Sequence, residues 1–373
     1  MKLTAQQQLR LNILSKYIGG EIYYMDAIKS LEISERQFRR LVKAFKDDGI
    51  QSMFHGNCGK SPPNKLSETQ VTKIIRLYQT VYRGMNIVHF REKLIEVEKM
   101  TPPAYSTIRN LLLKENLIAP TMKRKKRNYP RRIRYEKSGL MVQIDGSHHR
   151  WIQGHPMFCL TAAIDDATGK ILGAKFTKTE TTFAAMDVVE QAIKKYGVFQ
   201  MLYSDRAGIY GGKRQGYSNM NRAMSGLGVV PVQAFSPQAK GRVERLFKTL
   251  QSRLVHEMRL AEVRSIEEAN KFLKLYLPVF NKKFGREAAS DESAFKPFDI
   301  SIDLDELFTM QWQRKVQRGE IISFNSIQFL LTEKECFEGA NAEIKQYRDG
   351  HYEIFIYGKK VEYKVFSEAK GAG

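Results

Sequence analysis

Apolar residues at the start of the chain recur with helical spacing. They predict helices over residues 4–18 and 23–31, and a third helix that begins at Ser34 and ends at Gly49. Gln37 stands three residues after Ser34, so these two side chains are expected to form a capping box at the start of the third helix. The first part of the chain is therefore predicted to be a set of three helices.

The third predicted helix has a basic face opposite its apolar face. A short helix, a tight turn and a capped basic helix are typical of the helix-turn-helix plan, in which the second helix enters the major groove of DNA. We predict a helix-turn-helix DNA-binding domain over residues 1–58; a three-helix module that binds protein would show the same apolar spacing. The residues predicted to contact DNA are Arg36, Arg39, Arg40 and Lys43.

A second helical set follows a loop rich in Gly, Pro and Asn. Ser67 and Gln70 form another predicted capping box at its start. Its last helix, with Ser106 as the predicted cap, resembles a second recognition helix and offers Arg109 to DNA. We predict a second helix-turn-helix domain over residues 66–120, with the alternative that its more apolar last helix is mostly core.

From about residue 137 the pattern changes to alternating strands and helices. Three apolar runs come first, namely MVQID, MFCLTAAID and ILGAKFT, and turn residues separate them. A helix, a fourth strand, a helix, a fifth strand and a long amphipathic helix follow. This order is that of the ribonuclease-H-like fold, an α/β layout with a mixed sheet, which we predict over residues 137–285.

The last part of the chain shows short strands with turn signals between them. Asp349-Gly350 is a strong hairpin signal. We predict a small β-barrel over residues 305–368, with binding of DNA or of a neighbouring subunit as one reading and a plain structural cap as the other.

Three acidic residues stand at corresponding places in the predicted core. Asp145 ends the first apolar run, Asp205 ends the fourth, and Glu244 opens the long helix. Carboxylates from two strand ends and a helix start make an all-oxygen site suited to Mg²⁺ or Mn²⁺. Such sites often hold two ions, which clamp the attacking and leaving oxygens of a phosphoryl displacement. Asp165 and Asp166 lie in a DDATG turn, and we interpret them as structural.

Charge is concentrated in the first part of this 373-residue chain. The net charge is +21, and residues 1–135 hold 27 basic and 11 acidic residues, a net +16. Such a surplus indicates a polyanionic partner. The densest stretch, KRKKRNYPRRIR, has eight basic residues in twelve and lies in a predicted linker over residues 121–136. Either this linker stays solvated or it neutralises phosphates; we favour the second, through Lys123, Arg124, Lys125, Lys126 and Arg127.

Other classes of protein find little support in the composition. No run of about 18 apolar residues predicts a membrane span, and the N-terminus lacks the apolar stretch and cleavage site of a secretion signal. The three cysteines, widely separated, match neither a disulfide framework nor a zinc pattern. We therefore expect a cytoplasmic protein.

Four segments of the predicted core occur in an order that resembles a known family. They are DGS, AAIDDATGKILG, YSD and SPQAKGRVERLFKTLQ, of which the last is the most specific. The core is similar to the catalytic domain of retroviral integrases and of bacterial DDE transposases, and most similar to the insertion-sequence transposases grouped as ISNCY. The resemblance implies that Asp145, Asp205 and Glu244 are the catalytic, metal-binding acids, with Mg²⁺ or Mn²⁺ as cofactor and two ions per site. The 38 residues between Asp205 and Glu244 are slightly more than is typical of the retroviral enzymes.

The segment that leads into the long helix resembles the mobile active-site loop of this family. We predict that Lys240 and Arg242, in that segment, contact DNA, together with Lys248 one turn after Glu244. Lys248 has the alternative of an ion pair with Glu244. His148 and His149 follow Asp145 closely and either touch the substrate or sit at a strand edge.

The resemblance implies a DNA transposase that binds terminal inverted repeats, cleaves the element ends and joins 3′-hydroxyls to target DNA. Joining two ends requires two active sites, so a homo-oligomer on double-stranded DNA is expected. A catalytically decayed, transposase-derived DNA-binding regulator is one alternative, and a nuclease acting on RNA in hybrids is another. The intact acidic triad argues against the first, and the tandem helix-turn-helix units argue against the second.

Overall fold

Two units, Met1–Lys73 and Ile74–Gly373, divide the chain. The computed structural model describes residues 3–55, 57–58, 65–120, 132–205, 218–233 and 241–368.

The first unit is built around Phe38, whose side chain is fully buried. Its ring packs edge-on against Tyr17 and Tyr24, with centroids 5.0 and 5.5 Å away. The capping box of Ser34 and Gln37 is present, as predicted. The elements of this unit are α1 (Ala5–Ile18), α2 (Tyr24–Leu31), α3 (Glu35–Asp48) and a 3₁₀ turn (Gly49–Met53).

The second helical set has its own apolar core. Phe90, Leu94 and Ile108 are among its fully buried side chains. One detail of the prediction is wrong: the last helix begins at Tyr105 and Ser106 lies inside its first turn, so Ser106 is not the cap. The helices are α4 (Glu68–Thr80), α5 (Ile87–Glu96) and α6 (Tyr105–Lys114), and α4 starts at the predicted Ser67–Gln70 capping box.

A five-stranded mixed sheet follows, in the order β3-β2-β1-β4-β5. The first three strands pair antiparallel, whereas β4 runs parallel to both β1 and β5. This arrangement confirms the predicted order and the mixed sheet. The strands are β1 (Met141–His149), β2 (Phe158–Asp165), β3 (Ile171–Thr177), β4 (Met201–Ser204) and β5 (Val230–Gln233).

Helices cover both faces of this sheet, and alternate residues of the strands face opposite sides. Val142 and Ile144 of β1 belong to the core with α7 and α8, whereas Leu160 and Ala162 of β2 belong to the core with α9 and α10. The helices are α7 (Thr182–Tyr196), α8 (Asn219–Gly226), α9 (Gly241–Leu260) and α10 (Ile266–Phe284).

The C-terminal strands form two sheets that share one apolar core. Asp349 and Gly350 connect β9 to β10 in a hairpin, as predicted, with Gly350 at φ 93°. Within the described ranges the strands do not close into one barrel, so the barrel itself is not confirmed. After α11 (Leu304–Leu307) come β6 (Met310–Lys315), β7 (Ile321–Phe324), β8 (Ile327–Leu331), β9 (Asn341–Gln346), β10 (Tyr352–Ile356), β11 (Lys359–Val361) and β12 (Tyr363–Glu368).

Candidate active site

Two of the predicted acids stand on neighbouring strands of the core sheet. Asp145 lies in β1, and Asp205 follows the last residue of β4 directly. The parallel register pairs Gln143 with Tyr203. The pairing ends there, and Asp145 and Asp205 each follow two residues later on adjacent stretches of chain. The sequence placed each acid at a strand end, which is right for Asp205 and wrong for Asp145, since β1 continues for four residues beyond Asp145. The sheet order makes their two strands neighbours.

The third acid is held beside β1 by the helix that carries it. Val243 and Leu250 are fully buried against the sheet, so the apolar face predicted for α9 is confirmed. Glu244, in the first turn of α9, is exposed. Two side chains of β1 contact the helix: the Gln143 Oε1 accepts a hydrogen bond from the Val243 amide (3.3 Å), and the Ser147 Oγ is bonded to Gln251 Nε2 (3.1 Å).

Asp145 shares the α9-facing side of β1 with these two contacts. Gln143, Asp145 and Ser147 are alternate residues of one strand and therefore point to the same face of the sheet. The helix that presents Glu244 is thus fixed on the side of the sheet to which Asp145 belongs.

The donor chemistry fits a hard divalent cation, because aspartate and glutamate oxygens are its preferred ligands. The triad itself is not gathered into a metal cage: among the residues that the structure describes, no three His, Cys, Asp or Glu side chains lie close enough to hold a metal ion. Asp145 lies on β1, Asp205 directly follows the neighbouring strand β4, and Glu244 stands on the adjoining helix. Their common role in binding metal stays a prediction.

Arg242 does not lie in the loop that was predicted to precede the long helix. It lies in the first turn of α9, and only 16% of its side chain is exposed. Its Nε donates to the Asp166 carboxylate (2.5 Å), and its Nη2 donates to the carbonyls of Arg132 and Ile133 (3.2 and 3.0 Å). These contacts hold the guanidinium within the protein, and contact of Arg242 with DNA stays a prediction.

The two turn aspartates are both buried and have different tasks. Asp165 closes its own turn, accepting from the Thr168 amide (2.8 Å), the Thr168 hydroxyl (2.6 Å) and the Gly139 amide (2.9 Å). Asp166 instead reaches side chains of β1 and α9. The sequence interpretation of both as structural holds, but it missed the connection that Asp166 makes to the candidate site.

Neither Cys159 nor the histidines of β1 add an obvious reactive group. Burial raises the pKa of the Cys159 thiol to about 11, with Glu180 and Asp145 adding to the rise, so the thiol is protonated at neutral pH. His148 and His149 are both strand residues. His149 packs edge-on against Trp151 with centroids 5.2 Å apart, and burial lowers its pKa.

The predicted DNA-contacting residues of α3 share one exposed face. A shallow groove is lined by Arg36, Arg39, Arg40 and Lys43 together with Glu35. Arg39 is 71% exposed and donates to Glu35 (3.2 Å) and to the Tyr24 hydroxyl (3.0 Å).

The other predicted contacts are less uniform. Arg109 is half-buried in α6. Lys248 is exposed. Among the residues that the structure describes, no ion pair joins Lys248 to Glu244, which was the alternative to DNA contact. The predicted contacts that lie outside the described residues are Lys123, Arg124, Lys125, Lys126, Arg127 and Lys240.

The far half of α9 carries a charged contact that sequence reasoning missed. Arg253 donates two hydrogen bonds to the Glu92 carboxylate of α5 (2.6 and 3.1 Å). Four residues later, Glu257 contacts His89 Nε2 (2.7 Å) and Lys93 Nζ (2.8 Å). The available signal was an arginine within the apolar stripe of α9. Helix α5 is therefore docked on the helix that carries Glu244.

Comparison with known proteins identifies the family. The chain is 30% identical to transposase y4bF of Sinorhizobium fredii over 372 residues, which covers 96% of this chain and 80% of that protein. The chain belongs to this family of transposases. This transposase is also 31% identical to the transposase for insertion sequence IS1202 of Streptococcus pneumoniae, over 83% of its own length and 74% of that protein.

Solved structures similar to the transposase are more distant. One is the HTLV-2 integrase catalytic core domain in complex with magnesium, 15% identical, with a TM-score of 0.30, covering 36% of this chain and 83% of that one. Another is the simian T-cell lymphotropic virus intasome in complex with a PP2A regulatory subunit, 14% identical, with a TM-score of 0.36, covering 78% and 98%. No family model matches the chain. None of the helices in the described ranges is long and apolar enough to cross a membrane.

Proposed function

We propose that this transposase cuts phosphodiesters at the ends of an insertion sequence and joins the freed 3′-hydroxyls to target DNA. The observation that carries the proposal is that Asp145 and Asp205 belong to β1 and to the end of β4, two parallel neighbouring strands, and that a helix fixed to β1 carries the exposed Glu244 in its first turn. Its membership of the transposase family supports the same chemistry.

In this proposal the three acids hold divalent ions, Mg²⁺ or Mn²⁺, two per site. The bound ions would supply Lewis-acid activation and charge neutralisation during in-line displacement. The chain itself positions the acids: the hydrogen bonds that join Gln143 and Ser147 to α9 fix this helix, which carries Glu244 in its first turn, against β1. Lys248, exposed one turn after Glu244, is a donor for a phosphate of the DNA end.

Recognition of the element ends is assigned to the helical part of the chain. The exposed basic face of α3 supplies the base-reading side chains, namely Arg36, Arg39, Arg40 and Lys43, and Arg109 of α6 adds a second contact. The basic segment that ends near Arg134, together with Lys240, neutralises phosphates. Joining two ends requires two active sites, so the working form is a homo-oligomer on double-stranded DNA.

The test compares four purified variants on element-end DNA in Mg²⁺. Asp145→Asn, Asp205→Asn and Glu244→Gln each remove one charged oxygen ligand with little change in volume, so we expect loss of cutting and joining while end binding persists. Glu267→Gln is the matched control, because Glu267 is likewise an exposed glutamate in the first turn of a helix, α10. Normal joining by any of the first three variants would remove that residue from the site. Cutting that fails in all four would point to general damage.

A further inference from the structure

Asp166 is a fully buried carboxylate that accepts hydrogen bonds from separate parts of the transposase core. Its Oδ1 accepts from Arg242 Nε (2.5 Å), from Gln143 Nε2 (2.9 Å) and from Arg132 Nη2. Its Oδ2 accepts from the Tyr135 amide (3.1 Å). Burial of a carboxylate is costly unless it is paired and hydrogen-bonded, and here both conditions are met.

The partners of Asp166 stand directly beside the predicted catalytic acids. Gln143 precedes Asp145 by two residues on the same strand, and Arg242 precedes Glu244 by two residues at the start of α9. The Gln143 side chain links the two elements a second time, since it donates to Asp166 and accepts from the Val243 amide (3.3 Å). A single buried carboxylate therefore ties the strand and the helix together next to the site.

The same carboxylate also holds the chain where it leaves the basic segment. Arg132 pairs with Asp166, and Arg242 Nη2 donates to the carbonyls of Arg132 and Ile133. Arg134 donates to the backbone carbonyls of Asp166 and Ala167 (2.8 and 3.0 Å). The start of α9 and the end of the basic segment are thus fixed to one point.

We propose that Asp166 is a positioning residue of the active site, which sets the first turn of α9, and with it Glu244, against β1 and Asp145. The expected effect on catalysis rests on the proposed function. The expected effect on the position of the first turn of α9 does not, and it can be measured in the protein without DNA. Effective catalysis depends on this order, because a displacement of about 1 Å in a catalytic group can cost about a hundredfold in rate.

The test compares Asp166→Asn with Asp165→Asn in the full chain. Asp165 is the matched control: it is equally buried and adjacent, but its carboxylate contacts the turn and the Gly139 amide and reaches neither Gln143 nor Arg242. In hydrogen–deuterium exchange we expect faster exchange of the Val243 amide in Asp166→Asn and not in Asp165→Asn. In end cleavage we expect kcat to fall about tenfold or more in Asp166→Asn, with KM for end DNA within about twofold.

A second variant covers the case in which Asp166→Asn does not fold. Arg242→Met removes the helix side of the same contact at a partly exposed position, and the same faster exchange and lower kcat are expected. Equal exchange at Val243 and equal kcat in the Asp165 and Asp166 variants would overturn the proposal, since Asp166 would then only stabilise its turn. If the unaltered transposase cuts no DNA, the proposed function fails, and the exchange comparison still decides whether Asp166 positions α9.

Discussion

The contact between Arg253 and Glu92 offers a sharp test of how α5 is docked on α9. Arg253 is 7% exposed, forms a bidentate pair with Glu92, and lies 4.9 Å over the ring of Phe284. Glu92 also pairs with Lys283 (2.6 Å). Burial alone would raise the pKa of Glu92, but the hydrogen bonds from Arg253 and Lys283 outweigh it and lower that pKa, so the carboxylate is ionised at neutral pH.

The two halves of this pair are not equivalent, and the structure predicts the order of their effects. Breaking a buried pair from one side costs about 3–5 kcal/mol, because the other charge is left buried without its partner. Glu92→Gln leaves the buried Arg253 without a carboxylate, while Lys283 keeps its ion pair with Glu96 (3.5 Å). Arg253→Met instead leaves Glu92 paired with Lys283. Glu92→Gln should therefore cost more than Arg253→Met, which should lie near or below the lower end of this range.

The assay is thermal unfolding of both single variants and of the double variant Glu92→Gln/Arg253→Met at neutral pH. At roughly 2 °C per kcal/mol for a unit of this size, we expect Tm to fall by about 6–10 °C in Glu92→Gln. The double variant should lose less than the sum of the two, because the charge left alone in one single variant is absent from it. Additive losses, or a larger loss in Arg253→Met, would refute the reasoning.

Three further predictions concern recognition, electrostatics and pH. Arg36→Ala should weaken binding to specific ends by about 1–3 kcal/mol and to random duplex much less; equal weakening in competition assays would assign it to phosphates. Changing residues 123–127 to Gln should flatten the log–log salt dependence of binding by about 0.9 per lost contact, with little change in specificity; an unchanged slope over a salt series would leave that segment in solvent. For Glu257, burial would raise the pKa, but hydrogen bonds from His89 and Lys93 lower it. The ionised Glu257 then contributes its full stabilisation of the fold above the unfolded-state pKa of about 4.3, and this contribution is lost as the pH falls through the lower pKa of the folded state. In thermal unfolding, the Tm of Glu257→Gln should therefore vary less with pH in that range than the Tm of the parent protein.

Local signals made the elements of this chain predictable. The capping boxes at Ser34 and Ser67, the hairpin at Asp349-Gly350 and the alternation of strands and helices all appear in the structure. Each depends on neighbours within a few residues, which the sequence lists directly. The start of the last helix of the second set was misplaced, because Ser106 is a good cap by residue type but the helix begins at Tyr105, after Ala104, without a side-chain cap.

Contacts between residues that are far apart in the chain could not be predicted from the sequence. Asp166 looked like a turn former, and only the fold brings it to Arg242, 76 residues away. Arg253 looked like a basic residue in an apolar stripe, and only docking of α5 supplies Glu92.

The sequence by itself determined the family, the order of elements, and the places of Asp205 at the end of β4 and Glu244 at the start of α9, because periodicity, caps and motifs are local. The tertiary structure decided which of those ends are neighbours and which buried charges connect them. Pairing across a sheet and burial of a charge depend on residues far apart in the chain, and their energies exist only once the core has excluded water.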